Sequence, residues 1–384
     1  MKNVFYYSDN LHLDILPIGA EVIIEHRDLS RFGRLDSTQF NHAVGLLKQK
    51  SFRIALEWDI LMTDSDFPKV ITSLNELHLD NIDLIRVQDP GAIEYVKENL
   101  THPVVLILET GNHNLFGIQT WIDYLDGRVN RVSLSVELDK STLKKYTSEL
   151  SVPVEFLALG RILIFYTPRN LLSSLLPEDD EVRKKSLLSS EFLEASGESE
   201  ESPHKGFPLI ENKHGTYMFH IKRLYLLDCL DDLKDCGIEF LRIDTRFDGL
   251  SHLKDIIEAI STNTGKEYRA EYPFDVIKGY FNINKTDVLF KKLKNYRLQR
   301  KDDSYIGEVL ETNKAQYMAI MVKKKSLHIN DELKFITPEG KELICKVHEL
   351  TNSIGVSCDE IKKDELALMN YFGSVWPKSQ VYKN

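Results

Sequence analysis

The chain has 384 residues, of which 42% are hydrophobic and 28% charged, so it can bury a sizeable core in two or three domains and is no wholly disordered polymer. Its longest apolar runs, such as 104–108 and 156–159, are strand-sized, too short to cross a bilayer, and Asp9 and Asp14 interrupt any basic-then-apolar leader, which points to the cytoplasm. The formal charge of -10 is spread unevenly and leaves room for a local anionic partner.

The first 250 residues alternate short apolar runs with amphipathic segments. Glu21-Val-Ile-Ile-Glu precedes a helical pattern over 38–48, and Phe52-Arg-Ile-Ala-Leu-Glu precedes one over 67–77. Ile82-Asp-Leu-Ile-Arg-Val leads into Asp89-Pro-Gly, a helix start, and a helix running to 98. Val104-Val-Leu-Ile-Leu-Glu is followed by a short helix over 118–125, and Arg131-Val-Ser-Leu-Ser-Val-Glu by one over 141–150. Val154-Glu-Phe-Leu-Ala-Leu is the sixth strand. The seventh is expected over 216–220 with a helix over 230–236, and the eighth is Ile238-Glu-Phe-Leu-Arg-Ile-Asp with a helix over 250–260.

Strands covered on both faces read as continuous apolar runs. Eight strand-then-helix repeats therefore predict a TIM-barrel-like α/β domain over 1–303. A doubly wound open sheet is the rival, but His26-Arg-Asp-Leu follows the first strand where a glycine-rich fingerprint would stand.

An insertion over 176–215 interrupts the pattern. Between 178 and 205 it holds nine acidic and four basic residues, too little apolar surface to offset ordering. A short helix over 181–193 and a mobile stretch over 194–204 are expected there. The stretch 278–301 reverses the sign, with eight Lys or Arg against Asp287 alone. Its Lys291, Lys292, Lys294 and Arg297 could contact a phosphate backbone, and a solvated helix face explains them equally well. From 304 to 360, strand spacing over 305–311, 315–322, 332–337, 342–347 and 354–357, with turns at Ile329-Asn-Asp and Pro338-Glu-Gly, predicts a small β-barrel domain. The tail 361–384 is expected to pack back on the large domain.

In an α/β barrel, chemistry belongs at the carboxyl ends of the strands. Glu57, Glu109, Glu137 and His113 fall there and are the candidate catalytic groups, as acid and base or around a divalent metal. The same charges serve equally as helix caps and internal ion pairs. Arg86 and Arg242 lie within apolar strands, where a guanidinium needs a carboxylate or a ligand anion. Arg242-Ile-Asp-Thr-Arg could pair with Glu155 or Glu137, or present a fork to a carboxylate substrate. No G-x-S-x-G elbow, HExxH, P-loop or EF-hand pattern occurs. Cys229, Cys236, Cys345 and Cys358 have neither CxxC nor zinc-ribbon spacing, so no metal is expected on them.

Two stretches carry a family resemblance. Glu155-Phe-Leu-Ala-Leu-Gly-Arg-Ile-Leu-Ile-Phe-Tyr-Thr-Pro-Arg-Asn-Leu-Leu-Ser resembles the signature of the peptidase U32 (collagenase-like protease) family, and Cys236-Gly-Ile-Glu-Phe-Leu-Arg-Ile-Asp-Thr-Arg resembles its Lys-Ile-Glu-Gly-Arg block. The stretches from Ile306 and Ile329 resemble the family's small β-domain. The resemblance implies a barrel-like domain and either proteolysis or oxygen-independent hydroxylation of RNA or a quinone precursor, the latter with an iron–sulfur cluster on four cysteines. Glu155, Gly160, Tyr166, Ser173, Arg242, Asp244 and Arg246 stand at motif positions, and Glu155, Tyr166, Arg242, Asp244 and Arg246 become the candidate substrate-binding residues. Leu163 and Asn170 occupy the first two cluster-cysteine positions, and 174–216 contains no cysteine. A cluster needs thiolates, so no cofactor is expected. The resulting expectation is a cluster-free member that binds or scaffolds an RNA or protein partner or another anionic ligand. A hydrolase and an RNA-modification protein without its own cluster are the alternatives.

Overall fold

The computed structural model describes residues 1–8, 13–109, 113–177, 181, 192–198, 205–249, 251–282, 302–314, 316–338 and 341–384. They form two units, residues 1–289 and 290–384.

Strands β1 (Lys2–Tyr6), β2 (Glu21–Glu25), β3 (Arg53–Trp58), β4 (Leu84–Val87), β5 (Val104–Leu108), β6 (Val129–Leu134) and β7 (Val154–Thr167) lie side by side in chain order. Beyond them come β8 (Leu193–Glu198), β9 (Lys205–Asn212), β10 (Gly215–Tyr225) and β11 (Phe240–Ile243). β11 pairs in parallel with both β1 and β7, Phe240 standing opposite Lys2 and Glu155, and this closes an eight-stranded parallel barrel.

Helices α1 (Ser37–Gln49), α2 (Phe67–Asn75), α3 (Pro90–Asn99), α4 (Leu115–Tyr124), α5 (Lys140–Glu149), α6 (Leu230–Asp235) and α7 (Leu253–Thr262) connect the strands. Their starts are chemically marked. Asp36 and Gln39 form a capping box on α1, and Asp89 and Asp139 accept the first free N–H groups of α3 and α5. The main core lies between these helices and the outward residues of the strands, such as Val22, Ile24, Leu56 and Ile85. The alternate residues Val4, Tyr6, Ile23, Ala55, Leu84, Val105 and Phe240 form a separate apolar cluster inside the ring. Among the described residues, no helix is long and apolar enough to cross a membrane.

Eight strands were expected, but their identities differ in two places. The first barrel strand is Lys2–Tyr6, which precedes the expected one. The segment expected as the seventh strand is part of β10, antiparallel to β7 and outside the ring. Periodicity within one strand fixes its faces, not its partner. The insertion also departs from expectation: Leu193–Glu198 and Lys205–Asn212 pair as an antiparallel hairpin at the edge of the sheet, so 194–198 is strand. The expected helix over 181–193 falls largely outside the described residues.

β7 is 14 residues long because it serves two sets of partners within one sheet. Its first half belongs to the barrel, and from Gly160 onward it pairs with β10. Gly160 has a φ of 154°, and a Cβ there would meet Asp244 Cβ at 3.0 Å. Gly160→Ala should therefore cost about 1–3 kcal/mol in a denaturant titration.

In the second unit, β12 being the short Val276–Ile277 of the first, the strands are β13 (Tyr305–Asn313), β14 (Tyr317–Val322), β15 (Leu327–His328), β16 (Glu332–Ile336), β17 (Glu342–Lys346), β18 (Leu350–Asn352), β19 (Glu360–Ile361), β20 (Leu366–Asn370) and β21 (Gln380–Lys383). Seven of these form an antiparallel half-barrel in the order β17-β16-β21-β13-β14-β20-β18 over a core that includes Ile306, Phe335 and Val381. β20 and β21 belong to this sheet, so the small domain does not stop at 360. The strand expected over 354–357 is reduced to a single bridge from Ser357 to Thr351.

Candidate ligand site at the barrel mouth

The inward positions of the strands carry an unusual load of charge. Glu21 and Glu25 flank inward Ile23 on β2, Arg53 and Glu57 flank Ala55 on β3, and Arg242 and Asp244 follow Phe240 at the end of β11. Glu155 is fully buried and accepts two hydrogen bonds from Arg86 at 2.8 and 2.9 Å and one from Arg131 at 2.8 Å. Arg86 also holds Glu57, and Arg131 holds Glu21. Arg242 approaches Glu155 at 3.6 Å and grips Glu109, which also accepts Ser133 Oγ at 3.0 Å. A buried charge is tolerated only when paired, and this chain of guanidinium and carboxylate groups satisfies that condition. Burial pushes the Glu155 carboxyl up, but Arg86, Arg131 and Arg242 outweigh it and hold the group far below the carboxylate range.

At the carboxyl ends of the strands the pairing continues. Arg31 donates to Asp59 through its backbone N–H at 2.8 Å and Nε at 2.6 Å. Arg246 donates Nε and Nη2 to Asp244 at 2.9 and 2.7 Å and Nη1 to Glu25 at 2.5 Å, and its guanidinium lies 3.5 Å over the Tyr6 ring. Burial raises Glu25 to about 7 despite Arg246. His26, whose side chain is fully buried, is lowered to about 4, chiefly by burial.

These two groups give stability slopes of opposite sign. Glu25 holds more protons folded than unfolded between about 4.5 and 7, so stability falls with pH there. His26 holds fewer between about 4 and 6.5, so stability rises with pH there. Glu25→Gln should remove the first and leave a net rise from pH 4.5 to 6.5, measured by urea unfolding at stepped pH.

A cavity of about 300 Å³ opens at this end of the barrel. Its walls bring together Glu109, His113, Glu137, Tyr166, Arg242, Asp244 and Arg246 of the sequence-derived candidates. Glu57 and Glu155 do not line it, because their carboxylates are committed to the arginine network. Lys291, Lys292, Lys294 and Arg297 lie outside the described residues.

Sequence reasoning missed Tyr6, Arg31 and Arg161, and with them the aromatic wall of Phe32, Phe165, Phe219 and Phe247. Arg161 follows Gly160, where β7 leaves the ring. Its guanidinium lies 4.8 Å from the Phe247 ring centroid and donates Nη2 to the Phe247 carbonyl at 3.3 Å, and its Nε stands 3.9 Å from Asp248, which Arg223 already holds at 2.7 Å. Burial first and Arg223 second lower the Arg161 pKa. The Nε atoms of Arg161 and Arg242 are both buried without a hydrogen-bond partner. His113 Nε2 stands 3.8 Å from Glu137 Oε2.

The thiolates that an iron–sulfur cluster needs do not fit this chain. Leu163 packs against the cluster of Phe32, Tyr217 and Phe219, and Asn170 donates to the Asn212 carbonyl at 2.8 Å. Cys229 accepts from Lys278 at 3.1 Å, Cys236 is buried against α5, and Cys345 and Cys358 belong to the second unit. No group of three or more His, Cys, Asp or Glu suited to a metal ion occurs among the described residues.

The family model of Peptidase family U32 matches residues 26–284. Among solved structures, the chain is similar to the U32 peptidase Mk0906 at 12% identity and a TM-score of 0.36, over 42% of this chain and 70% of that one. It is similar to the C-terminal domain of a Geobacillus thermoleovorans chain described as a U32 peptidase at 16% identity and a TM-score of 0.20, over 24% and 98%. For 2,3-dimethylmalate lyase the values are 8% and 0.35, over 71% and 84%. No curated protein matches the chain.

Proposed function

Because the chain belongs to peptidase family U32, and its barrel mouth gathers Arg31, Arg161, Arg242 and Arg246 around one cavity, we propose that it binds a small organic anion there and works as a binding or partner component. The observation that carries this reading is that Arg161 and Arg242 line the same cavity and each keeps a buried Nε–H without a hydrogen-bond acceptor, Asp248 lying 3.9 Å from that of Arg161. A buried donor without an acceptor costs about 1–3 kcal/mol, and an anion between the two would recover that loss. The aromatic residues Phe32, Phe219 and Phe247 supply an apolar surface for the rest of the ligand.

A peptidase reading has less to work with. Glu109 and Asp244 are held by arginines, leaving His113 and Glu137 as the acid–base pair. Ser37 Oγ does lie 3.3 Å from His26 Nε2, but it donates to Glu76, and His26 Nδ1 accepts the Asp28 N–H, so Nε2 carries the proton and cannot act as base toward Ser37. An RNA partner rests on the basic run 291–301 alone, with salt-dependent binding as its test.

The anion reading is tested by thermal denaturation against a panel of carboxylates at fixed ionic strength. Carboxylates with an apolar or aromatic body should raise the midpoint by several degrees. Acetate should do so weakly, and uncharged amides of the same shape not at all. Equal shifts from acids and amides would remove the guanidinium groups from the explanation.

A further inference from the structure

A second cavity of about 240 Å³ adjoins the first and shares Phe32, Arg246 and Phe247 with it. Glu25 and Arg34 line this second space but not the mouth cavity. Arg246 has its Nε and Nη2 fixed by Asp244, so only its Nη1 end, held by Glu25 at 2.5 Å, is exchangeable. Arg34 stacks 4.2 Å from the Phe192 ring centroid and has no carboxylate within ion-pair distance among the described residues. Among the described residues, the space thus offers one guanidinium without a carboxylate, that of exposed Arg34, and a second, that of Arg246, whose Glu25 partner can be replaced.

We propose that this second cavity is a separate site for a small oxyanion, in which the anion takes Arg246 Nη1 over from Glu25 and is covered by Arg34. The displaced Glu25 faces Arg246, which also holds Asp244 and lies over Tyr6, and feels the charges of Glu57 and Asp59 near the end of β3; Tyr7 and Arg34 line the same cavity. With an anion added to these carboxylates and its own cation shared, Glu25 is held as the neutral acid. It takes one proton from solvent and donates its O–H to the anion, so one anion and one proton enter together. Glu25 in the free protein titrates near 7, raised by burial against the pull of Arg246. Anion affinity therefore falls as pH rises above that point, by up to tenfold per pH unit. His26, next in the chain, is already neutral throughout that range.

This proposal is independent of the mouth reading, and calorimetric titration of the full chain with sulfate separates the two. Sulfate keeps its charge from pH 6 to 9, and chloride holds the ionic strength constant. Expected are affinity falling several-fold to tenfold from pH 7.5 to 8.5, with close to one proton taken up per sulfate at pH 8.5. Glu25→Gln should bind sulfate with no pH dependence and at pH 8.5 more tightly than the parent chain. Arg34→Ala should bind several-fold more weakly at every pH, and Arg161→Met should bind unchanged, with circular dichroism reporting that each variant is folded. PH-independent binding by the parent chain, or no saturable binding, overturns the proposal. Sulfate binding lost only in Arg161→Met also overturns it, and assigns the sulfate to the mouth cavity instead.

Discussion

Glu155→Gln is expected to lower the unfolding free energy of the first unit by about 3–5 kcal/mol, the cost of breaking a buried ion pair from one side. The amide keeps the shape but loses the charge that three guanidinium groups share. Arg86 and Arg131 both sit at zero exposure, so neither can turn to water. Arg86 would retain Glu57, and Arg131 would retain Glu21, which sets the upper end of the range. The pH dependence carries the same signature. A carboxyl whose folded pKa is depressed contributes stability that is complete above its unfolded value near 4.5 and is lost progressively as pH falls from there through the folded value. In the parent chain most of the Glu155 contribution should remain at pH 4, and the stability gap between parent and variant should start to narrow below about pH 4.5 and close in stronger acid. A gap under about 1 kcal/mol by urea unfolding would mean that the network is not what holds the ring interior.

Arg161→Met is expected to show the reverse balance, with a large effect on the ligand and a small one on the fold. Hydrogen bonds to a charged group contribute about 1.5–3 kcal/mol, so the affinity for the best carboxylate should drop about tenfold to a hundredfold. Stability should hold within about 1 kcal/mol, because methionine fills the space against Phe247 and Phe219 and removes the unsatisfied Nε–H, which offsets the lost bond from Nη2 to the Phe247 carbonyl. Calorimetric titration beside urea unfolding distinguishes this from a packing defect, in which both quantities would fall together.

The barrel was legible because its strands are covered on both faces, so runs such as Val104-Val-Leu-Ile-Leu stand out without any partner being known. β1 was hidden because Lys2 and Asn3 open it at a rim and leave only three buried residues. Losing β1 meant losing Tyr6, the ring on which Arg246 lies. The charges at strand ends were visible as charges, and their alternation with Ile23, Ala55 and Phe240 marks them as inward. What the alternation cannot carry is partner choice. Glu57 and Glu109 look alike in sequence, yet one is consumed by Arg86 below the cavity and the other faces it beside Arg242. Arg161 was out of reach because it lies past Gly160, where the strand changes partners. At the two positions where the family resemblance would place cluster cysteines, Leu163 and Asn170 can be read off directly.

The most direct measurement is a crystal structure of the chain grown with the carboxylate that most raises its thermal midpoint. The account predicts a single acid group at the barrel mouth within hydrogen-bond distance of Arg242 Nε and Arg161 Nε, with the ligand body against Phe219 and Phe247. A ligand bound elsewhere, or density at the mouth that leaves both Nε–H groups unpaired, would contradict it.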